Sequence, residues 1–582
     1  MKAILSVLSL AAPLLLFAGA GLARPADEFD DAVDAFFERY FAFHPTAAAN
    51  AGLHEYDARL GERDADAIAS WLADLRELEA RFEAFDPAAL SEDQRLDRQL
   101  VLREIRGERF WLEEVGTWRK NPRFYSSQMD LSRLLLLEYA PLEERMAAIT
   151  GRLEAFPDLV AAARANVEDP PRPFVETALI TYRGLPGFLR EDLTEALAGV
   201  DHPELQARFR AARDAAVEAL EAYAEDLEAE ILPSADGGYA LGPERYRRMN
   251  ALLAGLEIPL DRLKAIGERE LARLQDLGYE LAVEIAGDTG DPDRDAVVAA
   301  AFDSLATDSP EPGTIVGSAA AVIGRLRSFV EESGYGTVLP GDVRVQEIPP
   351  FARTNFAYIQ IPGPFEKEVK TGLYYIQPVD PSWSDEVTRE FLGRNNRWAI
   401  LNVSGHETYP GHYHHYNHVQ RAPTKAQKLL TAYVTTEGWA HYSEEMAWRE
   451  GLADRDPRLG LAVVQDALLR VVRYLASIGL HTEGMSVAEA EEMFRTVAYQ
   501  DSVNARQQAL RGTYDPQYLN YTLGKLMILR LLEDARSGEA GNALPGSFDL
   551  TGFHDGFMAR GAPPVPWIGR RMLDDPGWVP LR

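Results

Sequence analysis

The residues with the clearest chemical potential lie at positions 404–418, in the stretch SGHETYPGHYHHYNH. This stretch holds five of the eleven histidines of the chain, and Glu407 directly follows the first of them, His406. A histidine followed by a glutamate begins the H-E-x-x-H motif, in which two imidazoles bind zinc and the glutamate is the general base. That motif requires a histidine at position 410, where this chain has proline. The stretch therefore predicts either a metal site of different construction or a histidine-rich helix.

His412 is the nearest match to the second histidine of the motif, although its spacing from His406 requires an irregular helix. The two are six residues apart, so on a regular helix about 600° of rotation would leave their side chains about 120° apart. Pro410 has no N–H to bond the carbonyl of His406, and Gly411 accepts backbone angles that other residues avoid. The sequence therefore predicts an irregular helix here, with both imidazoles at one locus.

His414 and His418 form a competing pair, because histidines four residues apart lie on nearly the same face of a regular helix. No glutamate follows His414, so this pair lacks a general base in the position that hydrolysis would need. Together with His415, these side chains are expected to lie on the continuation of the motif helix, exposed or packed. A second metal site is the alternative.

The stretch H-E-x-x-P-G-H at 406–412 resembles the signature of a bacterial family known as domain of unknown function 885, which is regarded as zinc-peptidase-like. Three further stretches resemble that family in the same order: TEGWAHYSEEM at 436–446, SIGLHTEGMS at 477–486 and DPQYLNYTLGKLMILRL at 515–531. The helical pattern of the N-terminal half also resembles it, so the likeness spans nearly the whole mature chain. Tyr413 departs from the pattern, because many relatives have a histidine there, and it is not counted as a ligand.

The resemblance implies that Glu437 is the third protein ligand of one catalytic Zn²⁺, beside His406 and His412. Three protein ligands and one open position for water are typical of a catalytic zinc, and the Glu-zincins take a carboxylate from a second helix downstream. Glu444 and Glu445 are rival carboxylates on the same predicted helix.

Other side chains are candidates for supporting roles. His441, one helical turn after Glu437, is expected to orient that carboxylate. Tyr521 is a candidate donor to the oxyanion of hydrolysis, His481 a candidate contact to substrate or product, and Arg511 a candidate binder of a substrate carboxylate. Packed or salt-bridged side chains are the alternative interpretation for the last three.

The elements that must position these residues are mainly helices. Apolar residues three and four apart, as in HPELQARFRAARDAAVEALEAYAEDLEAEI, cover most of residues 26–335 and 385–560. Residues 338–380 differ, because VRVQEI, NFAYIQI and TGLYYIQPV are β-branched or aromatic runs separated by proline and glycine. The sequence predicts a predominantly α, zincin-like fold: a large helical shell with a small β-sheet next to the metal-binding helix. The aromatic runs are either an edge strand for a peptide backbone or ordinary core.

We expect an N-terminal helical half at 24–335 and a C-terminal half at 336–582, joined in one continuous fold. Residues 1–23 show the order of a secretory signal, with a lysine, an apolar run and small residues, and cleavage is expected after Ala20 or Ala23. The chain has no cysteine, which excludes a lipid-attachment cysteine, disulfides and thiolate ligands. The expected location is periplasmic or extracellular, with no membrane attachment after signal removal.

The net charge and the lack of certain motifs argue against several classes of function. A net charge of −31 argues against nucleic acid or an anionic membrane as the main partner. There is no phosphate-binding glycine loop and no G-x-S-x-G nucleophile motif. The sequence therefore predicts an exported zinc metallopeptidase acting on short peptides, with Glu407 as the base. The alternative is a non-catalytic periplasmic metal-binding protein that uses the histidines of 406–418; it would not need a base beside a ligand.

Overall fold

A computed structural model describes residues 25–287, 293–349, 356–537 and 548–581. The predicted signal segment, residues 1–23, lies outside this part of the chain. Within the described part, no helix is both long and apolar enough to cross a membrane. Helices account for most of the described residues, which confirms the predominantly α class.

The N-terminal half is built from helices joined by short turns. In chain order they are α1 Pro25–Phe43, α2 Pro45–Asn50, α3 Ala65–Ala84, α4 Glu92–Arg109, α5 Thr117–Lys120, α6 Arg123–Ser126, α7 Ser132–Leu136, α8 Leu142–Glu154, α9 Phe156–Asn166, α10 Arg172–Arg190, α11 Asp192–Leu197, α12 Pro203–Asp226, α13 Gly242–Leu253, α14 Leu260–Ala286, α15 Arg294–Leu305 and α16 Ile315–Ser333. Local sequence sets where they begin. Asp64 caps α3 by accepting the N–H of Ala67, and Ser91 and Gln94 form a reciprocal capping box on α4.

The C-terminal half begins with strands and continues as helices. The elements are β1 Asp342–Glu347, β2 Ala357–Gln360, β3 Thr371–Ile376, α17 Asp385–Arg394, α18 Arg397–Glu407, α19 His412–Val419, α20 Lys425–Leu429, α21 Tyr433–Arg449, α22 Pro457–Ile478, α23 Val487–Thr496, α24 Ser502–Tyr514, α25 Asn520–Ser537, α26 Leu550–Met558 and α27 Val565–Met572. The three strands coincide with the three β-branched and aromatic runs, so the prediction of a small sheet is confirmed.

The sheet has the order β1-β3-β2, with β3 parallel to β1 and antiparallel to β2. The central strand β3 is buried from Gly372 to Ile376, whereas every residue of β2 is only partly buried. Strand β2 is therefore an edge of the sheet, and its free side is turned toward the helices that carry the histidines.

The apolar core is divided into three large clusters. Two belong mainly to the N-terminal half, one formed by residues between 29 and 118 and the other by residues between 125 and 235. The largest combines residues of 241–335 with residues of 398–578, so a single core continues across position 335. Helices α18 and α19 of the histidine motif pack into this core, which fixes their positions.

Helices α21 and α25 approach each other backbone to backbone. A Cβ atom added to Gly524 would lie 1.9 Å from the carbonyl oxygen of Val434, and one added to Gly438 would lie 2.5 Å from the Cα of Gly524. Glycine at both positions is what permits this distance. The contact fixes the position of α21 relative to α25. It thereby also fixes the position of Glu437, which precedes Gly438.

Candidate metal centre

The helix of the histidine motif is interrupted where the sequence predicts it. Helix α18 ends at Glu407 and α19 begins at His412, and the N–H of Gly411 donates to the carbonyl of Gly405 over 2.9 Å. A Cβ atom at position 411 would lie 1.9 Å from the carbonyl oxygen of His406, so only glycine fits. The predicted irregularity is confirmed.

The interruption brings the two imidazoles to one locus, and α21 adds a carboxylate. Glu437 Oε2 lies 3.9 Å from His406 Nε2 and 3.4 Å from His412 Nε2. Trp439 Nε1 donates to the carbonyl of Pro410 over 2.9 Å and so ties α21 to the interruption. In the described part of the chain, these three side chains are the one group of three or more histidine or carboxylate donors close enough to share a metal ion.

The three side chains fit a zinc ion. Ligand atoms at 2.0–2.1 Å from a tetrahedral zinc stand about 3.4 Å apart, close to the two distances observed. Glu437 Oε2 is buried without an aligned hydrogen-bond donor among the described residues. Burial would raise the pKa of Glu437, but His412, 3.4 Å away, outweighs it, and the pKa is lowered to about 2. Burial also holds the pKa of His406 well below its ordinary value, which favours the neutral imidazole that binds metal.

A second carboxylate, Glu444, orients the first histidine. His406 Nδ1 lies 2.5 Å from Glu444 Oε1, and Arg470 Nη2 lies 3.0 Å from the same oxygen. This contact turns His406 Nε2 toward the locus, as carboxylates do for many metal-bound histidines. His441 also contacts Glu444, with Nδ1 3.1 Å from Oε2, so the prediction that His441 orients Glu437 is wrong.

The sequence predicts Glu444 as a rival ligand, whereas the structure makes it an orienting group, and its spacing indicates that role. Seven residues after Glu437, about 700° of rotation returns Glu444 to nearly the same face of α21. Glu445 is turned about 100° further. It pairs with Arg273 over 2.9 Å and with Lys525 over 2.6 Å, on the side of α21 away from the locus.

Glu407 lies between the locus and the sheet. Its Oε2 accepts the N–H of Ile359 over 3.1 Å. Because that N–H points away from β3, the edge strand and the candidate base are joined directly. Burial raises the pKa of Glu407 to about 7, against the opposing effect of the nearby His412. A carboxyl group with this pKa can accept and release a proton near neutral pH.

The locus opens into a cleft of about 1220 Å³ between β2, α22, α24 and α25. Tyr521 lines this cleft, and its ring meets that of Tyr433 edge-on at 5.7 Å. Arg511 also lines it, but its Nε and Nη2 lie 3.0 and 2.9 Å from Asp515 Oδ2, and Nη2 donates to Tyr433 as well. The structure thus brings Tyr521 and Arg511 to the cleft, with much of the Arg511 guanidinium already engaged.

His481 is not in this cleft. It lines a separate cavity of about 300 Å³, where its Nδ1 accepts the N–H of Leu241 over 3.4 Å and its Nε2 donates to the carbonyl of Gly512 over 2.8 Å. Both ring nitrogens therefore bind backbone groups. The structure contradicts the predicted catalytic contact of His481, because the helical segment Gly479–Glu483 that continues α22 places its ring in this separate cavity.

The remaining histidines of the motif lie apart from the locus. His414 and His415 are buried, and the ring of His415 packs against Trp439 with the ring centres 5.5 Å apart. His418 Nε2 contacts the carbonyl of Thr337 at 2.9 Å. None of the three joins the donor group, which agrees with the expectation that they extend and pack the motif helix.

The fold is similar to two solved structures from other bacteria. One is a candidate lipoprotein of unknown function from Shewanella oneidensis, 23% identical, with a TM-score of 0.78 over 94% of this chain and 99% of that one. The other is a candidate lipoprotein from Colwellia psychrerythraea, 18% identical, with a TM-score of 0.75 over 95% and 99%. Among proteins with curated descriptions, none matches this sequence. The model of a family described as bacterial protein of unknown function, DUF885, matches residues 45–572, and the chain belongs to that family.

Proposed function

We propose that this protein is a zinc-dependent metallohydrolase of the Glu-zincin kind and that its substrates are short peptides. The observation that carries the proposal is the convergence of His406, His412 and Glu437 at one end of a cleft, with the half-buried Glu407 beside them. These three residues would hold one zinc ion, and Glu444 would orient His406.

The residues around the locus have complementary roles in hydrolysis. Zinc bound there would supply Lewis acidity, which polarises a scissile carbonyl and lowers the pKa of water. Glu407 would accept the proton of the attacking water on the oxygen not bound to Ile359 and pass it to the leaving amine. The phenol of Tyr521 is the candidate donor to the carbonyl oxygen as negative charge develops there.

A peptide substrate is supported by the position of the edge strand. Ala357, Tyr358 and Ile359 of β2 line the cleft beside Glu407. An extended peptide can pair with such an edge through backbone hydrogen bonds, largely independently of its side chains. The bond to be cleaved would then lie beside the base, because Ile359 is already bonded to Glu407.

Metal storage is the competing function, and two observations favour catalysis over it. His414, His415 and His418 do not join the donor group, so the described residues offer one site rather than several. Glu407 contributes no donor atom to that group, yet it lies half-buried next to the site with a raised pKa. Storage has no use for a base in this position.

An exported protein is also part of the proposal. The signal-like sequence of residues 1–23 supports it, and so does the likeness to two structures described as candidate lipoproteins. Because this chain has no cysteine, we propose export to the periplasm or beyond without lipid attachment.

The test combines metal analysis with a peptide screen. The purified protein is expected to retain about one zinc per chain after dialysis, and to cleave members of a mixed peptide library, with products identified by mass. Glu407→Gln is expected to keep its zinc and lose about 10²- to 10⁴-fold in kcat/KM, because the amide cannot accept the proton. Glu218→Gln, an exposed change on α12, is the matched control. Parental activity in Glu407→Gln would refute the mechanism.

A further inference from the structure

We infer that the cleft selects peptides with a free C-terminal carboxylate and that Arg473 binds this carboxylate. The inference rests on the proposed peptidase function and specifies its substrate class: peptides that lose one or two residues from their C-terminal end. Three features of the cleft carry it, namely the sign of its charge, the lack of a counter-ion for Arg473, and the place of Arg473 on α22.

The cleft carries a net positive charge, whereas the chain as a whole is acidic. The whole sequence has 60 basic and 91 acidic residues. The cleft has five cationic side chains and two carboxylates, and both carboxylates, Glu407 and Glu437, belong to the metal centre. The cations are Arg123, Lys428, Arg470, Arg473 and Arg511. A cationic cleft in an acidic protein attracts anionic ligands.

Two of these cations are already neutralised by the protein. Arg470 Nη2 lies 3.0 Å from Glu444 Oε1, and Arg511 Nη2 lies 2.9 Å from Asp515 Oδ2. Arg473 differs from these two, because among the described residues no carboxylate lies within 4.0 Å of it, and the same holds for Arg123 and Lys428. The sequence predicts Arg511 as the binder of a substrate carboxylate, but Arg511 is already paired. Of the three cations without a carboxylate partner, Arg473 is the one that lies beside the ring of Tyr521, the candidate oxyanion donor.

The protein holds the guanidinium of Arg473 in position but leaves some of its hydrogen-bond donors without a partner among the described residues. Its Nε donates to Gln508 Oε1 over 2.8 Å, and its Cζ lies 5.3 Å from the centre of the Tyr521 ring. Within the described residues this is its single hydrogen bond, so both Nη groups remain for a ligand. Two parallel N–H groups on one planar fork match the two oxygens of a carboxylate.

The place of Arg473 on α22 limits which carboxylate can reach it. Arg473 follows Arg470 by one helical turn, about 4.5 Å along the axis, and Arg470 Nη2 lies 3.4 Å from His406 Nδ1. Arg473 lines the same cleft as His406, His412 and Glu437, and its Cζ lies 5.3 Å from the ring of Tyr521, the candidate donor to the scissile carbonyl. The inference therefore places the scissile bond one or two extended residues, of about 3.3–3.6 Å each, from this anion site. The anion that every peptide carries so near a peptide bond is its own C-terminal carboxylate.

The experiment compares two forms of one peptide. Acetyl-tetraalanine with a free carboxylate and the same peptide as an amide are given to the zinc-loaded protein. The parent is expected to cleave the acid about 10- to 100-fold better in kcat/KM, the range of a charge-assisted hydrogen-bonded pair. Arg473→Gln is expected to bring the ratio close to one by slowing cleavage of the acid. Arg473→Lys should give an intermediate ratio, because it keeps the charge without the fork.

Controls separate this inference from the proposed function. Arg210→Gln, an exposed change on α12, should leave the ratio unchanged, and zinc content verifies that each variant is folded. Calorimetric titration of zinc-loaded Glu407→Gln with acid and amide measures the preference without turnover. Absence of any hydrolysis by the parent would refute the peptidase function, whereas equal binding of acid and amide would overturn the inference. Preference for an amide peptide with an internal glutamate over the acid would also overturn it.

Discussion

Two arginines, one in each half of the molecule, are buried to the same extent and serve opposite purposes. Arg145 in α8 is 7% exposed and Arg470 in α22 is 8% exposed. Arg145 donates to backbone carbonyls, those of Ala140 at 3.0 Å and Leu135 at 2.7 Å. Arg470 pairs with the carboxylate of Glu444, which orients a candidate zinc ligand. Arginine therefore donates to backbone carbonyls in one region and pairs with the carboxylate beside a candidate zinc ligand in the other.

The contrast extends to the neighbouring polar groups. In the N-terminal core, Thr150 donates to the carbonyl of Met146, and the amide of Asn166 donates to that of Arg63. Around the candidate metal centre, buried charges contact other buried charges. Because burying an ion pair is seldom the most stable solution, such a network is better explained by the positions it enforces than by the stability it adds.

The largest effect is expected from removing the cation of the metal-centre pair. Arg470→Met leaves the Glu444 carboxylate buried without its arginine, so the free energy of unfolding should fall by about 3–5 kcal/mol. Urea unfolding of the zinc-free protein measures this change. A loss below about 1 kcal/mol would show that the pair is not a buried ion pair in solution.

The same substitution in the other region gives the matched comparison. Arg145→Met removes the donors of at least two buried carbonyls, and the expected loss of unfolding free energy is about 1–3 kcal/mol. Zinc content and kcat/KM of the folded variant should equal those of the parent. Loss of zinc from this variant would remove the distinction between the two arginines.

A third variant isolates the orienting contact. Glu444→Gln keeps the size of the side chain but weakens its hold on His406, and zinc affinity should fall about 10- to 100-fold. Competition with a chromogenic chelator measures it. Glu445→Gln, one residue along α21 and directed toward Lys525, should bind zinc as the parent does. The reverse outcome would mean that the wrong carboxylate was assigned to His406.

The smallest effect is one of pH. Burial favours a raised pKa for Glu445, but Lys525 and Arg273 outweigh it and hold the pKa well below its ordinary value. The stabilisation from this carboxylate is thus complete above about pH 4.5 and is lost as the pH falls further. The difference in unfolding free energy between parent and Glu445→Gln should shrink below pH 4.5, by at most about 1.4 kcal/mol per unit. The Arg145→Met difference should stay constant, because a guanidinium does not titrate there.

Spacing within one segment predicted much of this molecule. The helical periodicity, the three strands and the interruption between His406 and His412 are local properties, and the structure has all of them. Glu437 came from the family resemblance, since a spacing of 25 residues after His412 permits many arrangements. Its approach to the two histidines depends on how α21 returns beside the motif.

Contacts between distant segments cannot be predicted from spacing within one segment. Arg470 is 64 residues from His406, and Ile359 is 48 residues before Glu407, so no periodicity relates them. His481 was misassigned because a histidine at the end of a helix resembles an accessible group. In the folded chain it is enclosed by the backbone of Leu241 and Gly512.

The distribution of the candidate metal-binding side chains over α18, α19 and α21 has a consequence for the chain as a polymer. A zinc ion held by His406, His412 and Glu437 would be a reversible cross-link that closes a loop of about 30 residues. Closing such a loop removes conformations from the unfolded chain, by an amount worth about 3–4 kcal/mol in the entropic treatment of disulfides. Because the sequence has no cysteine, a disulfide cannot supply such a cross-link, whereas the bound ion would.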